Sequence, residues 1–191
     1  MITPSSSTRN AIIGTAMGLL QTKSYNGFGF QELADKVGIR KASLYHHFKS
    51  KDMLATELIR LAREYVASAL RDNEDAKGIE RLHLFLSRIG RDIGVGSKIC
   101  PGGALVANWG NLPLSLRRDI ARLTAIYLDG LAHIIDIGRV DGSICDGQPS
   151  EVVAKWIFAS FQGAIVLARA TGKAADFDGV MDVVVENLRL R

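Results

Sequence analysis

With 191 residues, 47% of them hydrophobic and 23% charged, the chain is long enough for one ordinary domain or two small ones sharing a core, and too apolar to be disordered. Two cysteines, Cys100 and Cys145, are too few for a disulfide framework or a four-ligand zinc site. The net charge of +4 is unevenly spread: residues 1–51 carry seven Lys/Arg against two acids, and residues 52–191 carry 17 against 18. A basic head on a neutral body suits a nucleic-acid-binding module, although a merely solvated basic face would look the same.

The first residues have neither a basic nor an apolar signal region, and no stretch reaches the roughly 18 uninterrupted apolar residues of a membrane span. The longest candidate, 156–168, is interrupted by Ser160, Gln162 and Gly163. The expectation is a cytoplasmic protein without a membrane partner.

Taken in order, the segments read as helices. Ile12, Ile13, Ala16, Leu19 and Leu20 recur at helical spacing behind Ser7 or Asn10 as the cap. Gly27 and Gly29 end that helix. Short helices follow around Leu33, Ala34 and Val37 and over 41–48, and Ser50 caps a long helix to residue 71. Residues 72–78 form a polar turn, 79–93 a helix, 94–103 a glycine-rich loop and 104–109 a short helix. Pro113 opens a helix to Gly138, Pro149-Ser150 one to Thr171, and a last helix covers 176–190. Strand-like alternation is absent, so the fold class is all-α.

Residues 29–48 carry the strongest functional signal. Two short helices meet at a steep angle only across a small residue, which Ala34 provides, and the turn needs a position tolerant of positive φ, which Gly38 provides. Leu33, Val37, Ile39, Leu44 and Phe48 then face inward, leaving Arg40, Lys41, Ala42, Ser43, Tyr45, His46 and His47 outside. This is a helix-turn-helix, whose second helix enters the DNA major groove.

Over residues 6–66 the sequence resembles the DNA-binding domain of the TetR family. The resemblance is carried by the Leu33-Ala34 pair, the Gly38-Ile39 turn, Ser43-Leu44-Tyr45-His46-His47-Phe48 and Lys49-Ser50-Lys51-Asp52-Met53-Leu54. It implies an N-terminal DNA-binding domain at 6–66 and an effector-binding and dimerisation domain at 67–191. The corresponding function is a ligand-responsive repressor that leaves its operator when an effector binds. By matching position, Tyr45 and Lys51 contact phosphates, Arg40, Lys41, Ala42, Ser43 and His46 approach bases, His47 lies on the same exposed helix, and Thr8 and Arg9 contact backbone or minor groove. The sequence departs from the family at Gly29, where a Ser or Thr cap is common.

The resemblance also implies a homodimer through the last two helices. Ala154, Ala159, Gly163, Ala164 and Ala168 allow close helix approach, while Met181, Val184, Val185 and Leu188 form an apolar stripe. The small-molecule effector would meet Phe85, Ile89, Cys100, Trp109, Tyr127 and Phe161, with Trp156 as a further aromatic and His83, Asn108 and His133 as polar anchors. Each of these residues also suits an ordinary core. Cys100 lies in a loop, Ser97-Lys98-Ile99-Cys100-Pro101-Gly102-Gly103, resembling that of electrophile-sensing TetR repressors of N-ethylmaleimide reductase operons. It reads either as a reactive thiol or as a small buried hydrophobe, and Cys145 as a structural thiol.

No residue set has metal-ligand, cofactor or catalytic logic: there is no GxSxG, HExxH or phosphate loop, and the adjacent His46 and His47 cannot face one ion. A helical binding protein whose basic head holds RNA or protein is the alternative, weakened by the scarcity of stacking aromatics beside Tyr45.

Overall fold

The computed structural model describes residues 4–189, with side chains from residue 7 onward. Nine α-helices are present among them, and the only β-pairing is an isolated bridge between Ile144 and Arg189. The chain divides into two compact units, residues 1–62 with 101–122, and 63–100 with 123–191.

The first unit holds α1 (Pro4–Lys23), α2 (Phe30–Val37), α3 (Lys41–His47), the first half of α4 (Lys51–Arg71), α6 (Pro101–Val106), a 3-10 turn at Trp109–Asn111 and the start of α7 (Leu114–Val140). Ile12, Ala16 and Leu20 of α1, Leu33 and Ala34 of α2, Leu44 of α3 and Leu54, Leu58 and Ile59 of α4 form its core, all at most 1% exposed. The helix expected to start behind Ser7 or Asn10 begins earlier, at Pro4, so both residues are interior. Proline suits a first-turn position because its missing N–H has no intrahelical partner there. Ser50 caps α4 as expected, accepting from the Met53 N–H at 3.2 Å. The short helix expected at 104–109 forms at Pro101–Val106 instead, again with proline opening it.

The second unit packs α5 (Gly78–Ile93) and α8 (Ser150–Thr171) against α9 (Ala174–Leu188), with the ends of α4 and α7. The Asp141-Gly142-Ser143 turn caps α5 from a distance: Asp141 Oδ2 accepts from Gly78 N at 2.7 Å and Ser143 Oγ from Ile79 N at 3.1 Å. A Cβ on Gly78 would lie 2.3 Å from Gly138 Cα, so α5 starts where two glycines let backbones touch. Cys145 is half-buried, and its N–H donates to Leu188 O at 2.9 Å, tying down the end of α9.

By length and composition the 22-residue α8 is apolar enough to cross a membrane, with a mean hydropathy of 1.4, although Ser160, Gln162 and Gly163 interrupt its apolar run. In this fold one stripe of it, including Ala154, Ile157, Phe161, Ala164, Ile165 and Ala168, is buried, while Val152, Trp156, Val166 and Leu167 are exposed. The helix is two-faced by packing, with apolar residues on both faces.

Two glycine substitutions separate strain from collision. Gly38 has φ +78° and open space around it, so Gly38→Ala is expected to cost only about 1 kcal/mol of left-handed strain. Gly78→Ala meets backbone and is expected to cost about 3 kcal/mol, as overpacking of a closed contact does. Chemical denaturation of the two variants checks this order.

Candidate functional site

The helix-turn-helix is built as the residue pattern requires. Gly29 precedes α2 in extended conformation and contributes no side-chain cap. Gly38 ends α2 in the left-handed region, its N–H reaching Ala34 O at 3.0 Å, and Ile39 N–H donates to the same oxygen at 3.0 Å. Leu33, Ala34, Leu44 and Phe48 are buried as expected, whereas Val37 and Ile39 are half-buried because they lie at the turn. Of the expected DNA-facing residues, Arg40, Lys41, Ala42, Tyr45 and His46 are exposed, and Ser43 and His47 are half-exposed. Tyr45 packs edge-on against Phe30, ring centroids 5.2 Å apart, which steadies the side chain at the surface. Helix α3 itself contains no acid.

Behind this surface, three expected contact residues have structural partners. Thr8 and Arg9 are half-buried in α1. Arg9 Nη2 pairs with Glu57 Oε1 at 2.6 Å, and its guanidinium lies 5.2 Å from the Phe48 ring centroid. It therefore links α1 to α4 and to the end of α3. Glu57 also accepts from Arg60 Nε at 2.7 Å. The Arg60 hydrogen bond, with help from Arg9, holds the Glu57 carboxyl down at about 2 despite partial burial.

Lys51 is folded inward. Its Nζ donates to Phe28 O at 2.5 Å and lies 4.7 and 4.5 Å from the Tyr25 and Phe28 ring centroids. Burial lowers its pKa, opposed by the adjacent Asp52 carboxylate. Tyr25 donates to that Asp52, and burial followed by this contact pushes the phenol up. Sequence reasoning missed Glu57, Tyr25, Phe28 and Asp52; only the Glu57–Arg60 spacing gave a local signal.

The expected effector residues divide between the units. Phe85, Ile89, Cys100, Tyr127 and Phe161 are all buried in the second unit. Trp109 is not among them: it belongs to the first unit, is 42% exposed, and has Arg117 over its ring, because it follows the short α6 in a surface 3-10 turn. Asn108 is likewise in the first unit, accepting from Asn26 Nδ2 at 2.7 Å. His83 and His133 are exposed on their helices, and Trp156 is 43% exposed on α8, so none of them anchors a buried site. Among the described residues no group of His, Cys, Asp and Glu could hold a metal ion.

Residues 12–58 match the sequence model of bacterial regulatory proteins, tetR family. By this region the chain is similar to the TetR family. It is 31% identical over 80 residues to IcaR of Staphylococcus aureus strain Newman, the HTH-type negative transcriptional regulator of the biofilm operon icaADBC. That match covers 41% of this chain and 43% of IcaR, so the chain spans less than half the length of the curated relatives it matches. A TetR-family transcriptional regulator from Agrobacterium tumefaciens superimposes with a TM-score of 0.88 at 25% identity, covering 96% of this chain and 98% of that one. E. coli NemR in its reduced form shares the fold alone, at 19% identity and TM-score 0.80, over 96% and 97% of the two chains.

The Arg9–Glu57–Arg60 network has a pH signature. Glu57 is displaced from 4.5 to about 2 on folding; a depressed carboxyl contributes stability that is complete above the unfolded value and lost as pH falls. The loss should run from pH 4.5 towards about 2. Glu57→Gln is expected to remove that part of the acid dependence, measured by urea unfolding at stepped pH.

Proposed function

We propose that this protein is a homodimeric transcriptional repressor of the TetR family in the cytoplasm, which binds operator DNA through residues 6–66 and releases it when a small molecule binds within residues 67–191. The observation that carries the reading is the α3 surface: Arg40, Lys41, Ala42, Tyr45 and His46 exposed on one short helix without an acid, at the position from which a helix-turn-helix reads the major groove. The likeness to IcaR, a negative regulator, supports the sign of the effect.

Arg40, Lys41, Ala42, Ser43 and His46 would approach base edges, with His47 beside them. Tyr45, Lys51, Thr8 and Arg9 would meet the backbone, Lys51 and Arg9 after loosening the contacts that hold them here. No catalytic constellation is proposed. The apolar outer stripe of α8, with Val152, Trp156, Val166 and Leu167 exposed beside small Ala159 and Gly163, supports pairing with the same helix of a second copy. A two-fold dimer buries such a stripe against itself and sets two heads on successive major grooves.

A substitution on that stripe tests the assembly: Val166→Asp is expected to turn a dimer into a monomer in sedimentation at micromolar concentration and to abolish binding of a two-half-site operator. A dimer that persists unchanged would remove α8 from the interface.

Positioning and reading separate by salt and by sequence. Lys51→Ala should weaken binding to every duplex and lower the salt slope by about one, whereas Lys41→Ala and Ser43→Ala should shift preference between operator variants by about 1–3 kcal/mol. Mobility-shift titrations at several salt concentrations measure both. Uniform weakening by all three would mean that α3 is docked wrongly.

A further inference from the structure

On the outer face of α8, Val152, Trp156, Ala159, Gly163, Val166 and Ala170 follow one another at alternating steps of four and three residues; all six are exposed and none is charged. That spacing is the seam along which one helix packs on another, knobs into holes. It is the same from either end. The two smallest residues, Ala159 and Gly163, stand at its centre, Trp156 and Val166 outside them, and Val152 and Ala170 at the ends. A seam with this symmetry fits its own copy laid antiparallel across a two-fold axis.

Gly163 adds an independent sign. It lies inside α8, where glycine weakens a helix, and a Cβ built on it would meet nothing within 4 Å. Packing among the described residues therefore does not call for the missing side chain. A second backbone crossing at this point would, because small side chains let helix axes approach to about 8 Å.

Charge points the same way. Lys155 at the edge of the seam, and Asp178 and Asp182 on the outer face of α9, are exposed and form no ion pair with any described residue. Helix α9 runs back along α8, with the Phe177 and Phe161 ring centroids 5.5 Å apart. Leu167 and Asp178 lie equally far from the Gly172–Lys173 turn that joins the two helices, so they are level with each other.

Resting on the reading of the protein as a homodimer, we infer that α8 recognises α8 of a second copy antiparallel and in one register. Ala159 faces Gly163 of the second copy on either side of the axis, Trp156 faces its Val166, and Val152 faces its Ala170. In that register Lys155 comes level with Leu167 of the second copy, and hence with its Asp178, one turn from Asp182. The apolar seam holds the pair together. The attraction between Lys155 and the acidic face of α9, made twice by the two-fold axis, selects a chain that carries both, so the occupant of this face is another copy of the same chain rather than any apolar helix.

The test places cysteines in the full-length protein with Cys100→Ser and Cys145→Ser as background. Val152→Cys and Ala170→Cys chains, co-expressed and oxidised, should form an interchain disulfide, because facing seam positions come within the Cα separation that a disulfide spans, about 4.4–6.8 Å. Each chain on its own should form none. The same samples are sedimented at micromolar concentration without oxidant. A disulfide formed by Val152→Cys alone would mean a parallel seam or another register, and a dimer whose co-expressed chains do not crosslink would mean that α8 faces some other segment. Either result overturns the register and leaves the homodimer standing, whereas a monomer overturns both. Lys155→Asp should raise the dimer dissociation constant about tenfold, as two exposed ion pairs turn repulsive, and adding Asp178→Lys and Asp182→Lys should restore it. A swapped chain that stays as weak as Lys155→Asp alone would overturn the selection by charge.

Discussion

Helices of eight and seven residues are too short to persist in water alone, so α2 and α3 exist only through the contact they make with each other and with α1 and α4. Leu33, Ala34 and Leu44 are fully buried at that contact, and the left-handed Gly38 sets the angle at which α3 leaves the turn. Everything the exposed side of α3 offers depends on this packing. A larger residue at Ala34 would part the two helices, and a β-branched one at Gly38 would strain the turn.

The cations of the first unit fall into two populations. Arg40 and Lys41 extend from the start of α3 to solvent, while Arg9, Lys51 and Arg60 are held by Glu57, by the Phe28 carbonyl and by aromatic rings. The second group stiffens the scaffold under the first. Because Arg9 touches both Glu57 and the Phe48 ring, one side chain joins the entry of the domain to the exit of α3. Charge counted along the chain treats these cations as equal; their surroundings make them different.

In the second unit, order is imposed from far along the sequence. The N-terminus of α5 is capped by Asp141 and Ser143, and the end of α9 is fastened to Cys145. The aromatic residues at 85, 127, 158, 161 and 177 converge there from four helices. Such convergence surrounds Tyr127 with apolar rings, and burial pushes its phenol up.

The sequence alone determined the all-helical class, the helix-turn-helix and the family resemblance, because those depend on short-range patterns: helical periodicity, a small residue and a glycine at set spacing, and a serine cap at Ser50. It placed most helix ends within a few residues and misjudged starts at Pro4 and Pro101, where proline opens a helix. Only the tertiary structure decided which cations are engaged, that Trp109 and Asn108 belong with the first unit, that α8 carries a buried and an exposed apolar face, and that Gln162 stands beside Cys100. The physical reason is the same throughout. A side chain's partner 48 or 62 residues away leaves no trace in local periodicity, and burial, hydrogen bonding and pKa follow the partner.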